Sequence, residues 1–297
     1  MTDLPQAIDI REVGPRDGLQ AEAPVDSAAR AILVDALVST GLRRIEVAAF
    51  VSPRAVPSMA GAEEVLAAVR RVPGVEMVAL VPNVRGAVAA KEAEVDALTV
   101  TISASPTYNE RNVRMTVEES VAEVRAIRDA VGDQLEVDAV VSCAFGSPYE
   151  GDLAPADVGR LGEQLLRAGA TSLTFADTTG MATPRRVAEL VEVVGTAPGL
   201  HLHETRGTGL VNAYAAMQLG VTRFDTSVGG LGGSPFAAGA AGNLATEDLV
   251  HLCDDLGVST GVDLDALLEV CDVVADMIGR PVPSRVAAAG PRSRLAT

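Results

Sequence analysis

One lysine, Lys91, serves the whole 297-residue chain. It falls in 85–93, an alanine-rich stretch of helical pattern, and not at the end of a strand. Schiff-base catalysis needs a desolvated lysine in a pocket, so that chemistry is set aside. Basic residues are scarce as a group. Lys and Arg number 24 against 40 Asp and Glu, for a net charge of −16 and a pI near 4.6. No surplus of cations exists to neutralise phosphates, which excludes nucleic acid as the expected partner. Only three cysteines occur, Cys143, Cys253 and Cys271, without metal-like spacing, so reduced cytosolic thiols are the default. No apolar run reaches the length of about 18 residues that a membrane-spanning helix needs. The first ten residues have neither the basic nor the apolar segment of a secretory leader. A cytoplasmic protein with no membrane partner is expected.

What remains is 48% hydrophobic with a mean hydropathy of +0.25, enough to bury a large core. Short β-branched runs alternate with runs of helical period. The strands are expected at 8–13, 44–48, 76–81, 97–103, 135–142, 172–175, 200–203 and 222–227. Helices are expected at 27–39, 62–72, 84–93, 116–130, 155–167, 184–194, 209–219, 245–256 and 264–277. Asp26 or Ser27 would cap the first helix. Eight βα units with short connections predict a (β/α)8 TIM barrel with additional C-terminal helices. An open doubly wound sheet is the alternative, but no G-x-G-x-x-G follows the first strand. A single domain is expected over 1–297: barrel about 8–260, helical extension about 261–284, frayed tail 285–297.

A TIM barrel keeps its reactive groups at or just past the C-terminal ends of its strands. Scanning those points finds Arg16 and Asp17 after strand 1, Glu46 in strand 2 and Ser105 after strand 4. Cys143 follows strand 5, and Asp177 and Thr178 follow strand 6. His201 and His203 lie in strand 7. A glycine-rich stretch, 229–243, follows strand 8 and carries Ser234 and Asn243. Residues i and i+2 of a strand share a face. Two of the three histidines on one face make a metal-site pattern; the alternative is a polar interior pair without metal. Asp17 would add a carboxylate and Asn243 an amide oxygen. Such a set with open positions suits Mg2+ or Mn2+ better than Zn2+, which prefers Cys or a third His. Arg16 is placed to hold an enolate or carboxylate oxygen, or else to pair structurally with Glu46. Asp177 could support the site or cap a helix. Cys143 reads as core and His251 as surface.

Several of these motifs, in order over about residues 8–260, resemble 3-hydroxy-3-methylglutaryl-CoA lyases. They are Gly-Pro-Arg-Asp-Gly-Leu-Gln at 14–20, Ile-Glu-Val-Ala-Ala-Phe-Val-Ser-Pro at 45–53, and Ser-Cys-Ala-Phe-Gly-Ser-Pro-Tyr-Glu-Gly at 142–151. The His201-x-His203 pair and the glycine-rich stretch running into Asn243-Leu-Ala-Thr-Glu-Asp248 complete the set. That family sits among metal-dependent barrel lyases and Claisen synthases. The resemblance implies a divalent metal at Asp17, His201, His203 and Asn243, with Arg16 stabilising an enolate and Glu46 supporting it. It places Gln20, Ser105 and Thr178 near the substrate. It also implies an acyl-CoA substrate, retro-Claisen cleavage to acetyl-CoA and a keto acid, and a homo-oligomer, commonly a dimer. Relatives carry a cysteine as acid–base group where this chain has Ser234. A thiol titrates near about 8.5, whereas a serine hydroxyl is a far weaker acid. With Ser234, proton delivery would fall to a water or a histidine. Relatives also commonly have Lys at Ala23, Tyr at Val140, and Asp-Thr-Tyr-Gly where this chain has Glu204-Thr-Arg-Gly207. A related lyase, aldolase or Claisen synthase for another hydroxy acid, or an impaired metal-binding homologue, are the alternatives.

Overall fold

Eight parallel strands pair in sequence order and β8 pairs back onto β1, closing a barrel. The computed structural model describes residues 4–233 and 242–294. The strands are β1 (Asp9–Glu12), β2 (Arg44–Ala49), β3 (Glu76–Leu80), β4 (Ala97–Ser103), β5 (Glu136–Ser142), β6 (Ser172–Ala176), β7 (Gly199–His201) and β8 (Arg223–Thr226). The helices outside are α1 (Ser27–Ser39), α2 (Ala62–Ala68), α3 (Val84–Glu92), α4 (Pro106–Val113), α5 (Val117–Val131), α6 (Pro155–Ala168), α7 (Pro184–Val194) and α8 (Gly209–Gln218). After the barrel come α9 (Thr246–Leu256), α10 (Leu264–Ile278) and α11 (Arg285–Ala289). The chain is therefore a (β/α)8 TIM barrel with helices following it. No helix among the described residues is long and apolar enough to cross a membrane.

Local chemistry explains where the helices start. Asp26 accepts from Ala29 N at 2.9 Å to begin α1. Thr116 and Glu119 form a reciprocal capping box on α5. Thr183 caps α7 with Pro184 in its first turn. The alternation along the strands sorts the core into two zones. Ile45 and Val47 bracket Glu46, Leu98 and Val100 bracket Thr99, Val137 and Ala139 bracket Asp138, and Leu173 and Phe175 bracket Thr174, all buried. In a barrel strand one set must face the helices and the other the axis. The polar set faces the axis. Arg11 on β1 reaches Asp138 on β5, halfway round the ring, at 2.7 Å, which is possible only through the interior.

Three expectations are corrected. Strand β7 stops at His201, so His203 lies beyond it, where its backbone bridges to Asn243 instead of to a barrel neighbour. Helix α4 stands where no element was expected; it starts where Ser105 Oγ accepts from Tyr108 N at 3.1 Å, with Pro106 in the first turn. The tail expected to fray carries α11, because Asp248 accepts from Ser284 Oγ at 2.7 Å and from Val286 N at 2.9 Å.

Glu12 closes β1 and is wholly buried. It accepts from Gly14 N at 2.7 Å, Val228 N at 2.8 Å and Thr246 Oγ1 at 2.5 Å. It thus ties the turn after β1 to the start of the glycine-rich stretch and to α9. Burial pushes its carboxyl up to about 7 from 4.5, against the pull of those hydrogen bonds. The folded protein holds this proton to near neutrality, whereas the unfolded chain loses it near 4.5. Stability from this group is complete below the unfolded value and is lost as pH rises to about 7. Glu12→Gln is expected to shift the parent–variant difference in unfolding free energy toward the variant. The shift between about pH 4.5 and 8 should be about 3 kcal/mol, read by urea denaturation at both ends. A difference constant with pH would contradict this.

Candidate active site

The chain leaves β1 through a π-helical turn, Gly14–Gly18, rather than an α-helix. Gly14 is required there, because a Cβ would meet Glu12 Oε1 at 2.6 Å and Val228 Cγ1 at 2.8 Å. The turn delivers Arg16 and Asp17 to the mouth of the barrel. Arg16 is buried, and its Nε and Nη2 donate to Glu46 Oε2 while Nη1 donates to Asp17 Oδ1 at 2.6 Å. Thr99 Oγ1 donates to the other Glu46 oxygen. The guanidinium is thus held between the Glu46 and Asp17 carboxylates. Burial disfavours the Arg16 charge most, but Glu46 and Asp17 outweigh it and hold its pKa above the ordinary value.

His201 and His203 meet at the same point. Their Nε2 atoms are 3.1 Å apart, and His201 Nε2 is 4.0 Å from Asp17 Oδ2. Candidate ligand atoms of Asp17, His201 and His203 all lie within 4.8 Å of one another. Asn243 arrives on the return limb of the glycine-rich stretch. Leu244 N bonds Leu202 O at 2.9 Å and Glu204 N bonds Gly242 O at 3.0 Å, which zips that limb to the segment after β7. Asn243 Nδ2 donates to Asp17 Oδ2 at 2.7 Å and to Leu231 O at 2.9 Å. Its Oδ1 is buried without a hydrogen-bond partner, as is His203 Nδ1.

The donor set fits a divalent cation. Two imidazole nitrogens crowd together beside a carboxylate, and an amide oxygen is left unpaired in a buried place, which is costly without a partner. Protonation at His203 and Asp17 agrees with this, whereas at His201 burial is outweighed by Asp225 and Asp17, which raise its pKa. Burial and then the neighbouring His201 push His203 down to about 3, so its ring is neutral. Burial would raise Asp17, but Arg16, His201 and the Asn243 bond outweigh it and keep its carboxylate ionised.

The structure thus brings together Arg16, Asp17, Glu46, His201, His203 and Asn243. The other predicted positions lie outside this cluster, in the following surroundings. Ser105 is fully buried; its hydroxyl donates to Glu150 and accepts from Tyr108 N at 3.1 Å as the cap of α4. Burial would raise Glu150, but hydrogen bonds from Ser105, Ser147 and Thr107 pull it down to about 2. Thr178 is half-buried, and its hydroxyl accepts from Cys143 N at 2.9 Å. Gln20 is half-buried, with its backbone carbonyl taking the Ser58 hydroxyl at 2.7 Å. Cys143 is buried and its thiol is pushed up to about 12, in keeping with a core residue. Asp177 caps the turn at Met181 N and Ala182 N, at 2.7 and 2.9 Å, and burial pushes its carboxyl up to about 7. Ser234 lies outside the described residues.

Sequence reasoning missed the layer beneath the ligands. Arg11 pairs with both Asp225 and Asp138, and Asp225 accepts from His201 Nδ1. The available signal was three charged residues, of both signs, each inside a strand and each preceded by an apolar residue: Ile10, Val137 and Phe224.

Asp, His, His and Asn gathered beside an Arg–Glu pair make a candidate cation site at the mouth of a TIM barrel. The HMGL-like family model matches residues 7–274, and the chain belongs to that family. It is similar to (R)-citramalyl-CoA lyase of Chloroflexus aurantiacus, 41% identical over 96% of each chain. It is 40% identical to the mitochondrial hydroxymethylglutaryl-CoA lyase of Homo sapiens, over 97% of this chain and 91% of that one. Among solved structures, an HMG-CoA lyase from Acinetobacter baumannii in complex with coenzyme A and 3-methylmalate superposes with a TM-score of 0.94. It is 39% identical and covers 100% of this chain and 99% of its own. The protein is an enzyme, a carbon–carbon lyase of the hydroxymethylglutaryl-CoA lyase type.

Gly232 is the residue that lets the glycine-rich stretch approach the site. It has φ +115°, and a Cβ there would lie 2.4 Å from Asn243 Nδ2 and 3.3 Å from Asp17 Oδ2. Gly232→Ala is expected to cost about 1–3 kcal/mol of stability by urea denaturation. A crystal structure of the variant should show Asn243 turned away from Asp17. An unchanged Asn243 with unchanged stability would contradict the close-approach argument.

Proposed function

We propose that the enzyme cleaves a 3-hydroxyacyl-CoA of the 3-hydroxy-3-methylglutaryl type by retro-Claisen chemistry. The observation that carries this is the convergence of Asp17, His201, His203 and the unpaired Asn243 Oδ1 on one point beside the locked Arg16. Relatives named for CoA-ester cleavage, aligned over nearly the full length, support it.

The reaction needs three things from the protein. The 3-hydroxyl must lose its proton, the C2–C3 bond must break, and the resulting acetyl-CoA enolate must gain a proton as the keto acid leaves. A divalent cation held by Asp17, His201, His203 and Asn243, with Mg2+ or Mn2+ suited to these oxygen and imidazole donors, would supply Lewis-acid polarisation of the substrate oxygens. Arg16 contributes a fixed positive charge. Three of its N–H donations go to Glu46 and Asp17, and a guanidinium has five. The remaining donors are free to bind an oxygen on which negative charge develops, where preorganised donors lower a barrier most. Glu46, tethered by Thr99, keeps the fork from rotating. Neutral His203 keeps an unprotonated ring nitrogen at the site.

Proton return to the enolate is where this chain departs from its relatives. Ser234 stands where they have cysteine, and a hydroxyl is a poor acid at neutral pH. A second reading, cleavage of a different 3-hydroxyacyl-CoA such as a citramalyl-CoA, is favoured by the changed contacts. Ala23 is exposed, Val140 is buried, and Arg206 is anchored by Nη1 to the carbonyls of Thr179 and Gly180 at 2.6 and 2.9 Å.

The purified protein with Mn2+ is expected to release acetyl-CoA from hydroxymethylglutaryl-CoA or citramalyl-CoA in a coupled assay, and to stop when EDTA is added. Ser234→Cys should raise turnover of hydroxymethylglutaryl-CoA at least about tenfold. No acetyl-CoA from either ester would sink the proposal. A Ser234→Cys variant no faster than the parent would sink the proton-donor argument alone.

A further inference from the structure

The strand register sets a ligand, His201, in a row with two charged side chains beneath it. Arg11 on β1 is the register partner of Asp225 on β8, and Asp225 is the register partner of His201 on β7. Their side chains follow the register into contact. Arg11 Nε donates to Asp225 Oδ1 at 2.8 Å and Nη2 to Oδ2 at 2.7 Å, a bidentate pair. The same Oδ2 faces His201 Nδ1 at 3.2 Å. Arg11 Nη1 crosses the barrel to Asp138 Oδ2 at 2.7 Å, and Thr174 Oγ1 donates to that oxygen at 2.7 Å. All five residues are buried.

We propose that Asp225 is the positioning residue of the metal site, with Arg11 as its anchor. It accepts the Nδ1 proton of His201 and so presents the unprotonated Nε2 of that ring to the point shared with Asp17 and His203. This rests on the metal-dependent reading above. The physical argument is one of tautomer. A neutral imidazole carries one proton, and the hydrogen bond at one nitrogen decides which nitrogen is left to coordinate. An acceptor at Nδ1 forces the lone pair to Nε2. Asp225 faces His201 as an acceptor because Arg11 donates to both its oxygens and fixes the carboxylate in place. His203 has no such partner, since its Nδ1 is unpaired. The two histidines are therefore not equivalent: one is orientated from below, the other through the Asn243 backbone bridge.

The test is the affinity of the full-length protein for Mn2+ alone, by isothermal titration calorimetry. Asp225→Asn replaces the acceptor with a group of equal size that can donate. It is expected to weaken Mn2+ binding about 10–100-fold, the usual effect of removing such a partner. Asp138→Asn breaks the other half of the Arg11 network but leaves the Asp225–His201 contact. Mn2+ affinity there should stay within about threefold of the parent, although thermal stability falls. A merely structural network would lower the melting temperature of both variants and leave both affinities alone, which overturns the inference. A parent that binds Mn2+ and an Asp225→Asn variant that binds it equally well overturn this inference and spare the metal reading. A parent that binds no Mn2+ overturns both. Should Asp225→Asn not fold, the imidazole 15N spectrum of the Mg2+-loaded parent decides. A proton on His201 Nδ1 with none on Nε2 supports the inference, and the reverse tautomer overturns it.

Discussion

The interior of this barrel is held by one guanidinium. Arg11 pairs with Asp225 and Asp138, and through them β1, β5 and β8 are tied across the axis, with Thr174 of β6 and His201 of β7 joined to the same network. TIM barrels usually fill this space with branched apolar side chains. A buried ion network is costly unless every charge is paired and hydrogen-bonded, and removing one member leaves an exposed debt of desolvation. Here every charged member has a partner. The cost is offset by geometry: the network is rigid, and the reactive end of the barrel stands on it. Above it lies a second locked pair, Arg16 with Glu46, held by Thr99. Arg16 and His201 at the mouth are thus each braced by a buried carboxylate from a neighbouring strand, Glu46 and Asp225.

The glycine-rich stretch plays a different part. Its two feet are fixed. Val228 N and Gly14 N share the Glu12 carboxylate, Gly229 N is held by the buried Glu247, and Gly242 N bonds Gly232 O at 2.8 Å. Between those feet the sequence carries Ser234. The stretch is therefore anchored from below by carboxylates and aligned at Asn243 by pairing with the segment after β7. Its glycines serve close approach: Gly232 packs where a side chain would collide with Asn243 and Asp17.

Much of the fold was legible because barrel strands and their helices are local patterns. Strand β4 and helices α1 and α7 have the bounds that periodicity and capping residues predicted. His201, Asp17 and Asn243 were legible because barrel topology says where strand ends gather. What was not legible depended on three dimensions. Arg11, Asp138 and Asp225 are lone charges in three strands far apart in sequence, and only the register makes them partners. His203 reads as strand until the backbone of Asn243 is seen to claim it. The contacts of Ser105 with α4 and Glu150 are likewise invisible in the sequence. The tail reads as loose until Asp248 is seen to hold it. In each case a long-range hydrogen bond decided what local pattern left open.

The central claim is that four side chains from the ends of β1 and β7 and the return limb of the glycine-rich stretch make one cation site. Anomalous diffraction from crystals soaked in Mn2+ addresses it most directly. The account predicts a single strong peak within coordinating distance of Asp17, His201 Nε2, His203 Nε2 and Asn243 Oδ1. A peak elsewhere in the barrel, or none at this point at saturating Mn2+, would contradict it.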